Sequence, residues 1–315
     1  MSGMSGEQIF ELPEPSPEAP SVTSVSEADV RQLSRGRLIW RRFIRQKSGL
    51  LGILMLVFVI LLAFIGPHLT KWGYNDFDTP NLLSGPSSNH FFGVDDVGRD
   101  VYARTLKGLQ KSIFIGLLSA LITTLIAGVA GSIAGYFGKW VDLGVVWVID
   151  LLLVLPSFLI LAIISPSLAS RSWLWLVPLL SIFSWMITAR VVRGLTLSLR
   201  EREYVNAAKF MGVPAFSIIR RHVIPNMASL LIVDVTINVG VTVVAETTLS
   251  FFGFGVQPPD VSLGTVLEDS QALASTTPHV FLPAAIVLVL LVLSVSLVGD
   301  ALREAMDPTS GSSRL

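Results

Sequence analysis

The stretch Glu203 to Asn226, EYVNAAKFMGVPAFSIIRRHVIPN, is a polar amphipathic insert between two long apolar runs. Glu203 to Met211 reads as a helix, Gly212 suits a left-handed C-cap, and Pro214 suits the first turn of a second helix. Ala215 to Val223 then places Phe216, Ile219 and Val223 on one face, with Arg220 and Arg221 beside it. Ala207 and Ala208 permit close approach at the bend, and Pro225 starts the next apolar run and locks the insert to it. The expected product is a pair of short surface helices whose movement passes directly into the helix that follows.

The flanking runs are too apolar for a soluble domain. Of 315 residues, 51% are hydrophobic and 15% charged, and the mean hydropathy of +0.66 places the chain among membrane proteins. Six stretches approach the roughly 20 apolar residues that a helical span needs. They run from about Ser48 to Gly66, Ser112 to Phe137, Leu143 to Pro166, Trp173 to Val192, Ala228 to Phe252 and Phe281 to Val298. The expected fold class is all-α: a polytopic membrane protein with six transmembrane helices in one domain, residues 48–308, and coupling helices at 203–226 between spans four and five.

Charge sets the expected orientation. Lys plus Arg and Asp plus Glu are both 23, so there is no global excess to attract nucleic acid. Locally, Arg31, Arg35, Arg37, Arg41, Arg42, Arg45 and Lys47 make residues 31–47 a basic segment that holds the N-terminus in the cytoplasm. With both termini inside, 17 cationic residues fall on the cytoplasmic side, Arg190 to Arg221 included, and six fall outside. Residues 1–30, rich in Pro and Glu, are expected to be a disordered cytoplasmic tail, and 309–315 a short C-terminal one. The first apolar run starts near Ser48 behind a long polar lead, which argues against a secretory signal. There is no Cys, and the four His residues show no ligand spacing, so neither disulfide nor metal site is expected.

Within the spans, Ala127, Gly131 and Gly135 form a small-residue face suited to close helix packing. Pro156 and Pro178 each remove a helical hydrogen bond and mark expected kinks. Asp150, Asp234 and Glu246 are costly to leave facing lipid, about 2.5 to 3.5 kcal/mol each on insertion scales. Asp234, Asn238, Thr242 and Glu246 recur every four residues, a band that suits the wall of a solute pathway or, equally, interhelical hydrogen bonding. Glu246 lies near the outer end, where the alternative is that it fixes the following loop.

The fragment Ala207 to Arg221 also has the small residues, Gly turn and basic second helix of helix-turn-helix DNA readers. Both of its ends run into membrane spans within a few residues, leaving no room for a groove-reading domain, so nucleic acid is not an expected partner.

The chain resembles the permeases of binding-protein-dependent ABC importers, and more narrowly the second (C-type) permease of the dipeptide and oligopeptide importers. The resemblance rests on Ala207-Ala208 with Gly212 and Ile224-Pro225, on Phe92 to Val101 (FGVDDVGRDV), and on Glu246 with Leu249 to Pro259 (LSFFGFGVQPP). It extends from about Arg37 to Pro308. It departs from the family at Asn206, where a Glu is usual, so that residue's ion pair is lost or moved to Glu203, and at Leu263, where a Trp usually precedes the Gly.

The resemblance implies a multi-pass protein of the bacterial inner membrane. It implies a non-catalytic subunit in which Glu203, Asn206, Ala207, Ala208, Gly212, Arg220, Arg221 and Pro225 contact an ABC ATPase. Asp150, Asp234, Asn238, Thr242 and Glu246 are the candidate residues of the translocation pathway. No Gly-x-x-x-x-Gly-Lys-Ser/Thr loop occurs, so ATP and Mg belong on the partner subunits, and this chain binds no cofactor. A homologous second permease, an extracytoplasmic peptide-binding protein and membrane lipid are the other implied partners. The substrate is a di- or oligopeptide, or in a related branch a nickel chelate. An ion-coupled secondary transporter using Asp150, Asp234 and Glu246 as proton sites is the alternative from another class.

Overall fold

A computed structural model describes residues 35–169 and 172–306. The tails expected at 1–30 and 309–315 lie outside the described residues, as do Arg31, Arg171 and Arg314. Among the described residues the regular elements are helices, and strand-like pairing is limited to two isolated bridges, Phe77 with Arg99 and Val94 with Asp100.

In chain order the helices are α1 (Arg35–Ile44), α2 (Lys47–Ile65), α3 (Val101–Phe137), α4 (Lys139–Val154), α5 (Ser157–Ala169), α6 (Leu176–Ile182) and α7 (Met186–Arg200). They continue with α8 (Glu203–Phe210), α9 (Ala215–Ile218), α10 (Ile224–Asn226), α11 (Ala228–Phe251), α12 (Leu263–Ser270) and α13 (Pro278–Met306). α2, α3, α11 and α13 are each long and apolar enough to cross a membrane. α4 with α5, and residues 173–182 with α7, meet that standard only as pairs, bent by 83° and 47°. The molecule thus has four to six candidate spans.

The third expected span is in fact two helices. Pro156 lacks an N–H and disfavours helical backbone before it, and Leu155 accordingly adopts extended angles (φ −71°, ψ 135°). The fourth also breaks, but at Phe183 to Trp185 rather than at Pro178. Pro178 sits in the first turn of α6, where its missing donor has no intrahelical partner to lose. α7 then runs past Val192 to Arg200, so Arg190 and Arg193, expected in the surface insert, are helix-interior residues. The second span begins early too: Asp100 accepts from the Ala103 N–H at 2.7 Å and caps a helix of 37 residues, about 55 Å long.

α3 is the central post. Its small-residue face meets α7 so closely that a Cβ on Gly131 would lie 2.5 Å from the Ala189 carbonyl oxygen, and one on Gly135 2.7 Å from that of Arg193. Elsewhere the largest apolar cluster joins α2, α3, α11, α12 and α13 through Val59, Leu106, Val243, Leu263 and Leu291. α1 folds back onto the end of α13, where Phe43 packs with Val298, Ala301 and Ala305.

The insert 203–226 sits at the α3 C-terminal end, since Phe216 lies against Phe137 with ring centroids 6.0 Å apart. At the opposite end the 66–100 loop meets α12 through Arg99 and Asp269, and Lys111 reaches Asp260 at 2.7 Å.

Candidate functional site

The insert is a hairpin closed by a two-bond helix cap. Gly212, at φ 77°, donates to the Lys209 carbonyl and Val213 donates to that of Ala208, which is the Schellman arrangement. Pro214 stands at the N-cap of α9, one residue before the position expected for it, and its carbonyl accepts from Ser217 and Ile218.

The expected second helix is not continuous. After one turn, Ile219–Val223 widens into a π-turn in which Ile224 donates to the Ile219 carbonyl. Pro225 has no N–H for the Arg221 carbonyl and its ring would crowd it, and the wider turn makes that room.

One side of the hairpin is anchored. Val205, Ala208, Ile218, Val223 and Met227 form a buried cluster with Val192 of α7, joined by Tyr136 of α3 and Leu231 of α11. The other side is apolar and uncovered: Phe210 is 92% exposed, Met211 75% and Phe216 67%. Phe216 therefore does not share a buried face with Ile219 and Val223, and Ile218 takes its place because the π-turn rotates the register.

Glu203, Ala207, Arg220, Arg221 and Pro225 are exposed, and Ala208 is buried at the bend. Glu203 makes no ion pair among the described residues, while Asn206 donates to the Glu201 carbonyl and accepts from Lys209. Phe210 and Met211 were not singled out from the sequence. Their signal was present, as two large apolar residues immediately before the Gly turn of a polar insert.

The polar band of α11 divides in two. Asp234 is half-buried and accepts from Thr124 of α3 at 2.6 Å, Thr188 of α7 at 2.7 Å and Asn238 at 2.9 Å. It lines a cavity of about 420 Å³ between α7, α11 and the end of α13. Glu246 is wholly buried, accepting from Ser112 at 3.0 Å and Ser250 at 2.6 Å. Those hydroxyls accept in turn from the Leu263 and Val256 backbone N–H groups, so one carboxylate organises the junction of α3, α11 and α12. Thr242, between the two, is buried with no partner for its hydroxyl among the described residues.

Asp150 makes no hydrogen bond or ion pair with either group. It lies on an exposed face, paired with Arg190, and one pair nearer the α4 N-terminus Asp142 is bonded by Arg193 at 2.6 Å. Sequence reading treated these arginines as surface charge and missed the ladder they form between α4 and α7.

At the other end, the segment Phe92 to Val101 is a tied turn. The Asp95 carboxylate accepts from the Val97 and Arg99 N–H groups and from the Arg99 guanidinium, which also reaches Asp269, as does Arg104. His90 lies between two carboxylates, Nδ1 2.7 Å from Asp100 and Nε2 3.0 Å from Asp78, with Trp72 stacked on its ring. The Asn81 amide and then His90 hold the Asp78 carboxyl below its usual range. A cleft of about 330 Å³ adjoins this turn, lined by Arg99, Arg104, Gln257, Asp260, Glu268 and Asp269. Burial, then the neighbouring Asp269, pushes Glu268 above the ordinary carboxylate range. No cluster of His, Asp and Glu able to hold a metal occurs among the described residues.

A bundle of helices long and apolar enough to cross a membrane, with an anchored, apolar-tipped hairpin at one end and a tied loop cap at the other, defines a class, the polytopic membrane protein. Residues 127–310 match the family described as the binding-protein-dependent transport system inner membrane component, and residues 34–86 match the N-terminal TM domain of oligopeptide transport permease C. The chain belongs to this family of inner-membrane transport components.

It is 48% identical over 282 residues to the oligopeptide transport system permease protein OppC of Mycobacterium tuberculosis, covering 89% of this chain and 97% of that protein. It is 35% identical over 273 residues to the glutathione transport system permease protein GsiD of Pectobacterium atrosepticum, covering 86% and 90%. It is 34% identical over 277 residues to the dipeptide transport system permease protein DppC of Alkalihalophilus pseudofirmus, covering 85% and 90%. The protein is an ABC-importer permease of the inner membrane, and this kinship does not favour the ion-coupled alternative.

Proposed function

We propose that the chain forms half of the translocation pathway of an ATP-driven, binding-protein-dependent peptide importer. The relatives above support a peptide substrate, since they are named for oligopeptide, dipeptide and glutathione transport. In this reading each bent pair counts as one span, giving six, and both termini are cytoplasmic. A homologous second permease supplies the other half of the pathway, and an extracytoplasmic binding protein docks on the outer loops around Arg99 and Glu268.

The observation that carries the coupling role is the hairpin's two-sided construction. Phe210, Met211 and Phe216 present apolar surface on a rigid tip, while Val205, Ala208 and Val223 are packed against α7 and α11. An ABC ATPase that holds ATP and Mg would grip the tip, and its closure would pull on the helices at either end of the insert. Ala207, Gly212, Arg220, Arg221 and Pro225 belong to this surface, with Glu203 and Asn206 at its edge.

Two experiments test the reading. A Phe210→Asp, Met211→Asp double variant is expected to insert in the membrane normally and to lose co-purification with the ATPase; retained association would reject the tip as the contact. Uptake of labelled di-, tri- and tetrapeptides and of nickel in cells with and without this chain tests the cargo. Unchanged peptide uptake in the deletion, with no second importer present, would reject the peptide assignment.

A further inference from the structure

The cavity beside Asp234 has two charged groups of opposite sign in an otherwise largely apolar lining. Ile187, Val191, Leu230, Val233 and Met306 supply apolar wall, Asp234 the anion and Arg303 the cation. At about 420 Å³ it falls at the small end of the range for ligand pockets.

Neither charge is saturated among the described residues. A carboxylate offers about four lone-pair positions, and Thr124, Thr188 and Asn238 fill three at Asp234. Arg303 is exposed in the last turn of α13, and its guanidinium donors make no hydrogen bond or ion pair among the described residues. The two come together because α11 and α13 run side by side, with Gly299 against Thr236 and Ile237 one turn before Arg303.

We propose that Asp234 and Arg303 form a transient site for the two charged ends of a short zwitterionic peptide on the cytoplasmic half of the pathway. Asp234 takes the α-ammonium group and Arg303 the α-carboxylate. The three donors fixed on Asp234 orient its carboxylate in an apolar surround, while the vacant acceptor position discriminates in favour of an amine. Apolar walls between the charges tolerate varied side chains. This rests on the peptide-importer reading above.

The test uses the assembled transporter in proteoliposomes with its binding protein. Uptake is compared for one tripeptide in free, N-acetylated and C-amidated forms. Each rate is expressed as variant over wild type, so that the binding protein's own preference cancels.

Asp234→Asn is expected to slow the free and C-amidated peptides about tenfold and leave the N-acetylated one unchanged. Arg303→Gln, at an exposed position that does not hold the fold, is expected to slow the free and N-acetylated forms by a similar factor and spare the C-amide. Equal slowing of all three forms by either variant, or no slowing, would overturn the proposal while leaving the importer reading intact. Equal slowing accompanied by loss of the second permease would instead assign the cavity to subunit contact. Failure of the wild type to move any of the peptides would overturn both.

Discussion

Glu246 and Asp234 lie on one helix and do different work because of what surrounds each carboxylate. Glu246 meets hydroxyls that hold the backbone of Leu263 and Val256, so its loss would orphan Ser112 and Ser250 in a sealed junction. Glu246→Leu is expected to destabilise the junction of α3, α11 and α12, about 1 to 3 kcal/mol for each buried group left unpaired. The check is a lower midpoint in thermal unfolding of the detergent-solubilised protein. Asp78 makes a pH-dependent contribution at the same end of the bundle. Its carboxyl is held low by Asn81 and then His90, so the stabilisation is complete above the ordinary carboxylate range and is lost as pH falls through the lowered value. Protection from hydrogen exchange across residues 76–100, taken relative to the intrinsic rate at each pH, should therefore fall on acidification in the wild type, and Asp78→Asn should lower it at neutral pH already.

Helix contacts were legible from the sequence where they depended on residue size, and illegible where they depended on backbone position. The spacing of Ala127, Gly131 and Gly135 showed a close-packing face, and the structure seats it on α7. Gly131→Val is expected to force α3 from α7, since its first carbon meets the Ala189 carbonyl oxygen, and overpacking of this kind costs about 1 to 3 kcal/mol. Lower yield of folded protein, rescued by no change on other faces of α3, would report it. The two prolines show the other case. Pro156 and Pro178 look alike in sequence, yet one separates two helices at 83° and the other sits without effect in a first turn. What differs is where each helix begins, which packing against α3 and α11 decides. The π-turn before Pro225 escaped notice for the same reason, and with it the outward turn of Phe216.

Span count and sidedness belong to the whole molecule, and the absence of Cys makes them directly measurable. Single cysteines at Met211, Ser172 and Gly85 should label from the cytoplasm, the outside and the outside respectively if each bent pair crosses once. Labelling of Ser172 from the cytoplasm would make α4 with α5 a re-entrant loop. The six apolar runs and the insert are readable in the sequence, because apolar length and a Gly-Pro turn are local properties. The grouping of Thr124, Thr188, Asp234 and Arg303 was not, since it joins four helices distant in sequence. The 37-residue α3 has one further consequence. It touches α7 near its C-terminal end and begins at the Asp100 knot, so it behaves as a pointer. Tilting a rod of about 55 Å by 5° around its middle swings each tip by roughly 2.4 Å. The same tilt moves Gly131, on the α7 contact, by about 1.6 Å, so if the proposed ATPase tilts α3, a spin label beside Asp100 would report the motion more strongly than one at that contact.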